Sequence, residues 1–241
     1  MRRLSWSQLS KFENCPFDWY MNYVKKAVPF KPNIHFTVGS ATHAAIEFAL
    51  GRWHAAKPTV PEMVGKYVDY LKNEVHDPDT IQYWTLCGQN MLGAWYAYAQ
   101  SHDIQKISVE GKIIKDSFVG IVDCIAEIDG EPFIVDWKTA GKPYTQKQVD
   151  TDGQLTAYSW LTGRADARVA YGVLVKGTTK FQFLHAERTD KDREDFLNRL
   201  AKARTAMAGY EESGEVPKPT PNSRCNWCAL YPELCDGEDD F

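Results

Sequence analysis

Residues 118–139 read FVGIVDCIAEIDGEPFIVDWKT, and they restrict the fold more than any other stretch of the chain. Two apolar runs flank Asp129-Gly130. That dipeptide favours a two-residue type I′ turn, whose central positions both need φ > 0. With the turn there, Ile128 pairs with Glu131 and Asp123 falls opposite Asp136. Side chains alternate along a strand, so Lys138 shares the face of Asp136. Opposed Cβ atoms lie roughly 4.5–5.5 Å apart. Two carboxylates so close repel unless a cation sits between them. Oxygen ligands suit hard ions such as Mg2+ or Mn2+. An ammonium two residues on can orient a water or steady developing negative charge. The competing reading is a surface hairpin with two solvated aspartates.

The flanking sequence supplies the layers such a hairpin needs. Strand patterns run over 107–114, 168–175 and 180–186, the last two joined by residues 176–179. Helical spacing covers 39–50, 61–76, 79–101, 152–161 and 191–210, with short helices expected on either side of Cys15-Pro16. The step from the Asp136 strand through helix 152–161 to strand 168–175 is a crossover, which makes those strands parallel. The fold class is therefore α/β, a mixed central sheet flanked by helices. At 241 residues with 44% hydrophobic content, one large domain over 1–241 is expected. Its helical insert spans about 55–102 and its core about 103–212. Tyr83, Leu86, Trp95 and Tyr98 are expected to pack that insert on the core. Residues 140–150 read as a polar loop.

Cysteines mark a second centre. Cys225, Cys228 and Cys235 fall within eleven residues, after the proline-rich segment VPKPTPNS. A tetrahedral thiolate site lacks one ligand there. Cys15, at a helix junction, is the best fourth. Soft thiolates select Zn2+ or an Fe–S cluster, and spacing alone does not choose between them. Cys87 and Cys124 stand alone and read as buried thiols. The start, MRRLSWSQLS, has no apolar core of a secretory signal, and no apolar run spans a membrane. The expected location is the cytoplasm, where cysteines more often bind metal than form disulfides.

Gly120-x-x-Asp123, Asp136-Trp137-Lys138 and Gln154-x-x-x-Tyr158, in that order, resemble the RecB-like branch of the PD-(D/E)XK nuclease superfamily. Gly39-x-x-x-His43 matches the additional histidine of this branch. Cys15-Pro16 and Cys225-x-x-Cys228…Cys235 resemble its iron–sulfur members, the AddB nuclease domain and the CRISPR-associated Cas-four exonucleases among them. The resemblance implies a restriction-endonuclease-like core whose N- and C-terminal segments are joined by a metal cluster. It implies His43, Asp123, Asp136 and the Trp137 carbonyl as Mn2+ or Mg2+ ligands. Lys138 would be the catalytic ammonium, with Gln154 and Tyr158 contacting DNA or ordering it. It favours a 4Fe–4S cluster on Cys15, Cys225, Cys228 and Cys235, with zinc as the alternative. The resemblance implies that an acid at Glu110 supports the metal site, with a plain surface glutamate as the equal alternative, and Lys142 and Lys147 could touch phosphate.

The implied function is a metal-dependent DNA exonuclease on single strands, 5′ to 3′, in recombination, repair or CRISPR-type adaptation. The alternative is a non-catalytic cluster-bearing subunit that binds DNA or assembles a recombination complex. The net charge of −4 lacks the basic excess common in nucleic-acid proteins, but ions and local lysines can meet phosphates. Aromatics of the helical insert, if exposed, could stack bases. No P-loop motif is present, so a helicase or recombination partner would be a separate chain. An oligomer is left open.

Overall fold

The computed structural model describes residues 3–28, 33–231 and 235, and at 106, 107 and 110 the backbone alone. The acidic tail 236–240, part of the loop at 27–33 and the side chain of Glu110 thus lie outside the described residues.

In chain order the elements begin with β1 (Leu4–Ser5), α1 (Trp6–Asn14) and α2 (Pro16–Trp19), which runs into a π-helical turn at Tyr20–Val24. Three longer helices follow: α3 (Ile34–Leu50), α4 (Val60–Glu74) and α5 (Pro78–Gln100). Then come β2 (Ile104–Lys115), β3 (Phe118–Ile128), β4 (Glu131–Ala140), α6 (Gln146–Asp150) and α7 (Gly153–Thr162). The chain continues through β5 (Arg168–Val175), β6 (Lys180–Ala186), α8 (Asp190–Ser213) and a 3-10 turn at Cys225–Trp227. They divide into two compact units.

The larger unit holds Pro32–Ile114 and Gly120–Arg193. Its organising hairpin forms as the dipeptide requires, with φ of 52° at Asp129 and 83° at Gly130. The ladder runs from Ile128↔Glu131 to Cys124↔Val135. β4 pairs parallel with β5, from Phe133↔Arg168 to Ala140↔Val175, and β5 pairs antiparallel with β6. β2 also pairs with β3, so the sheet is mixed. One face carries an apolar layer with Ile46, Tyr67, Met91 and Trp95 from α3, α4 and α5. The other is covered by α7, through Leu155 and Tyr158 against Ile134, Val169 and Val173. This is the expected α/β architecture.

Local differences from expectation trace to caps. The helix expected from Gly39 begins at Ile34, because the Asn33 side chain accepts the His35 N–H at 2.9 Å. The stretch 140–150 is not wholly loop. Thr145 and Gln148 form a capping box that starts α6. Tyr83 and Leu86 do not join the core but stand 63% and 58% exposed on α5, where Met91, Leu92 and Trp95 make the buried face.

The smaller unit gathers Met1–Lys31, Lys115–Val119 and Glu194–Phe241. β1 pairs parallel with the start of β3, Leu4↔Phe118 and Ser5↔Val119. Its interior includes Leu9, Phe12, Trp19, Phe118, Phe196 and Leu200. Phe12 meets Trp19 edge-on at 5.3 Å, and Phe118 meets Phe196 at 5.7 Å.

Candidate active site

The site forms where the β3–β4 ladder stops. Gly120 and Val122 pack toward α7, whereas Cys124 and Ala126 pack toward α3–α5, so the alternation slips by one residue at Asp123. One step beyond the last paired residues, the Trp137 amide donates to Asp123 Oδ2 at 2.8 Å. The slip turns the Asp123 carboxylate to where a ladder carbonyl would stand. Gly120 has its own reason to lack a side chain: an added Cβ would sit 2.6 Å from Leu161 and 3.1 Å from Tyr158.

His43 reaches this point from α3. Its Nε2 lies 2.7 Å from the Trp137 carbonyl and its Nδ1 3.5 Å from Asp123 Oδ2. Burial opposes charge on the imidazole. The hydrogen bond and charge of Asp123, with Asp136 and the Trp137 carbonyl, outweigh that and hold its pKa above the ordinary value. His43, Asp123, Trp137 and Glu47 line a cavity of about 10 Å3, room for one small ion or water. Glu47 was not among the expected site residues. Its position one helical turn after His43 was the available signal.

On β4, Asp136 is buried and starts a polar chain. Its Oδ2 touches the Lys138 ammonium, and no well-aligned hydrogen-bond donor reaches it. Lys138 Nζ donates to Gln154 Oε1 at 3.0 Å, and Gln154 Nε2 donates to the Tyr158 hydroxyl at 2.8 Å. Gln154 and Tyr158, four apart on α7, thus hold the lysine from above the strand. Burial pushes the Asp136 carboxyl up to about 6, with Lys138 pulling the other way and Asp123 adding to the rise. Burial disfavours charge on Lys138, but Asp136 and Asp123 outweigh it and keep the ammonium protonated. Burial, then the charge of Asp136, also raises the Tyr158 hydroxyl pKa.

The expected residues of the hairpin site thus fall into two sets, His43, Asp123 and Trp137 around the small cavity and Asp136, Lys138, Gln154 and Tyr158 along the polar chain. The donor types fit a hard cation: an imidazole, a carbonyl and the carboxylates of Asp123 and Asp136, the latter with an under-satisfied buried oxygen. Among the described residues, however, no three His, Cys, Asp or Glu side chains already converge on a single metal position.

Arg188 was missed altogether. It is buried, and its guanidinium donates to Thr156 Oγ1 at 2.8 Å, the Val149 carbonyl at 2.6 Å and the Asp152 carbonyl at 3.2 Å. It fastens α6 to the first turn of α7, which carries Gln154. A lone Arg after a strand gives no such signal.

The four expected cysteine ligands lie in the smaller unit and line one cavity of about 720 Å3. Thr220 N–H points to Cys15 Sγ and Asn222 N–H to Cys225 Sγ, both at 3.4 Å. Burial, then the neighbouring thiols Cys228, Cys15 and Cys225, raises the Cys235 pKa. Thiolates are ligands for soft metals, but these four line the space without three of them converging on one metal position. Cys87 and Cys124 are buried in the larger unit, as expected of structural thiols.

A mixed sheet with a carboxylate hairpin, an Asp-x-Lys strand and a Gln–Tyr helix defines a class of phosphodiester-cleaving folds. The family model of the PD-(D/E)XK nuclease superfamily matches residues 3–236, and the chain belongs to that superfamily. Human mitochondrial genome maintenance exonuclease 1 is 30% identical over 78 residues, covering 29% of this chain and 23% of that protein. The match thus spans about a quarter of the relative's length. The crystal structure of a candidate exonuclease from Eubacterium rectale superposes with a TM-score of 0.57 at 14% identity, covering 100% of this chain and 89% of that one. That likeness shows the fold. No helix among the described residues is long and apolar enough to cross a membrane.

Proposed function

We propose that the chain is a metal-dependent exodeoxyribonuclease acting on single-stranded DNA from the 5′ end. The observation that carries the hydrolytic reading is the convergence of His43, Asp123 and the Trp137 carbonyl beside the Asp136–Lys138–Gln154–Tyr158 chain. His43, Asp123, Asp136 and the Trp137 carbonyl would hold Mn2+ or Mg2+, which would acidify a water and offset charge on the phosphate. Histidine among the ligands tilts the choice toward Mn2+. Lys138, kept charged and aimed by Gln154, positions that water or meets the phosphate oxygen as negative charge builds. The water oxygen bonds to phosphorus as the bond to the leaving sugar oxygen breaks. Tyr158, un-ionised, fixes the amide of Gln154 and leaves its oxygen for the lysine. Single-strand preference and polarity rest on the resemblance to the iron–sulfur branch. So does the proposed 4Fe–4S cluster on Cys15, Cys225, Cys228 and Cys235, and so does a role beside a helicase, recombination or adaptation protein.

The test is a single strand labelled at either end, incubated with Mn2+ or Mg2+ against an EDTA control. The expected result is metal-dependent shortening, with the 5′ label released first as small products. No cleavage of any DNA form would favour the non-catalytic DNA-binding subunit instead. Anaerobically purified protein should be brown and contain iron and sulfide. Colourless protein with stoichiometric zinc would assign the cysteines to zinc.

A further inference from the structure

One surface of the larger unit is unlike the rest of its exterior. Phe36 on α3 stands 69% exposed, and Tyr83 on α5 63%. Tyr83 begins a string of rings that runs to His35, the residue before Phe36. Tyr83 meets Trp84 edge-on at 5.2 Å, and Trp84 meets His35 edge-on at 5.5 Å. The string ends on a cation, with Lys176 Nζ 3.4 Å from His35 Nδ1. Lys176 is itself tied to the end of β4, because its amide donates to the Ala140 carbonyl at 2.8 Å. Gly177 beside it donates to Cys87 Sγ on α5 at 3.3 Å. The patch therefore sits at the edge from which the Asp136–Lys138 strand emerges.

It is also continuous with the candidate cleft. Phe36, Ser40, His43 and Glu47 are spaced four, three and four apart, one stripe of α3. Seven residues at 1.5 Å rise put Phe36 about 10 Å along the helix from His43. That is the length of about three nucleotides at the 3.4 Å rise of stacked bases. Exposed aromatic faces with a neighbouring lysine are the pairing that binds unstacked bases and their phosphates. A protein–protein contact would explain exposed rings, but not the alignment of Phe36 with His43 or the terminal lysine.

We infer that Phe36 and Tyr83, with Lys176, form a base-stacking platform that holds single-stranded DNA a few nucleotides from the scissile phosphate. The inference rests on the nuclease reading for its direction, and its test separates the two. Binding of a fluorescein-labelled 20-nucleotide single strand is measured by anisotropy in EDTA, where nothing is cut. Phe36→Ala and Tyr83→Ala should each weaken binding about 10-fold, and the double variant more. Tyr83→Phe, which keeps the ring, should bind as wild type. Duplex of the same sequence should change less than about 2-fold, since its bases are not free to stack. Turnover of a p-nitrophenyl ester of thymidine monophosphate, too short to reach the platform, should be unaltered in all four variants. Unchanged single-strand binding in the double variant, equal loss on duplex, or a variant that self-associates differently while binding DNA normally would each overturn the platform. Wild-type protein that binds the strand in this ring-dependent way yet cleaves nothing with Mn2+ or Mg2+ would remove the nuclease reading and leave the platform standing.

Discussion

Asp136 is where burial and charge conflict most sharply. Its carboxyl is buried, its Oδ2 has only the Lys138 ammonium, and its pKa is up at about 6. A raised carboxyl pKa means the folded state prefers the protonated form. Below about pH 4 this group costs the fold nothing. Between about pH 4 and 6 the cost grows, by up to about 1.4 kcal/mol per pH unit, and above pH 6 it is constant. In EDTA, Asp136→Asn should therefore gain stability relative to wild type as pH rises through that window, read as a widening difference in melting temperature. A difference that is flat with pH would mean the carboxyl is not held near 6. The same variant should be inactive. Lys138→Ala should lose at least about 10²- to 10³-fold in kcat while keeping its circular dichroism and metal content. An active Lys138→Ala enzyme would defeat the role given to that lysine. Glu47 lines the cleft with His43 and Asp123. Glu47→Gln should raise the half-saturating Mn2+ concentration about 10-fold with a smaller effect on kcat at saturating metal.

At the scale of elements, what the sequence made legible was whatever its own neighbours decide. The Asp129-Gly130 turn and period-2 alternation are local, and the hairpin register followed from them residue for residue to Cys124↔Val135. Strands 168–175 and 180–186 also came out with their observed ends. Asn33 and the Thr145–Gln148 box are equally local, and as caps they start α3 before Gly39 and α6 inside the polar stretch 140–150. The slip at Asp123 and the brace at Arg188 were not legible, because both depend on partners distant in sequence. That brace makes its own prediction. Arg188→Met leaves the Val149 and Asp152 carbonyls and the Thr156 hydroxyl without their donor in a buried place. It should cost about 2–4 kcal/mol of stability by denaturant titration. Because α7 carries Gln154, kcat should also fall at temperatures where the variant remains folded. A variant as stable as wild type would show that water replaces the guanidinium.

For the whole molecule, the question is what holds the C-terminal segment in the smaller unit. That unit is assembled from three stretches far apart in the chain. Its first and last stretches share apolar burial through Phe12, Trp19, Phe196 and Leu200, but among the described residues beyond Gly214 only Pro217 and Leu230 are buried. The 3-10 turn at Cys225–Trp227 leaves Trp227 91% exposed. Short polar links remain, such as Asn222 Nδ2 donating to the Asn14 carbonyl at 3.1 Å. Exposed hydrogen bonds of this kind contribute about 1 kcal/mol each, too little to order some twenty residues against chain entropy. The proposed centre on four thiols would supply the missing term, since metal binding free energy becomes folding free energy where no preformed site exists in the unfolded chain. Cys225→Ser should therefore lose most of the bound metal and become cleavable by trypsin at Arg224 at least about ten times faster than wild type. Cys87→Ser should keep its metal, because that thiol lies in the larger unit. Residues 120–193 should stay resistant in both variants, since their apolar layers hold without the cysteines. Equal metal content and equal trypsin resistance in Cys225→Ser and wild type would show that the segment is held by something other than its thiols.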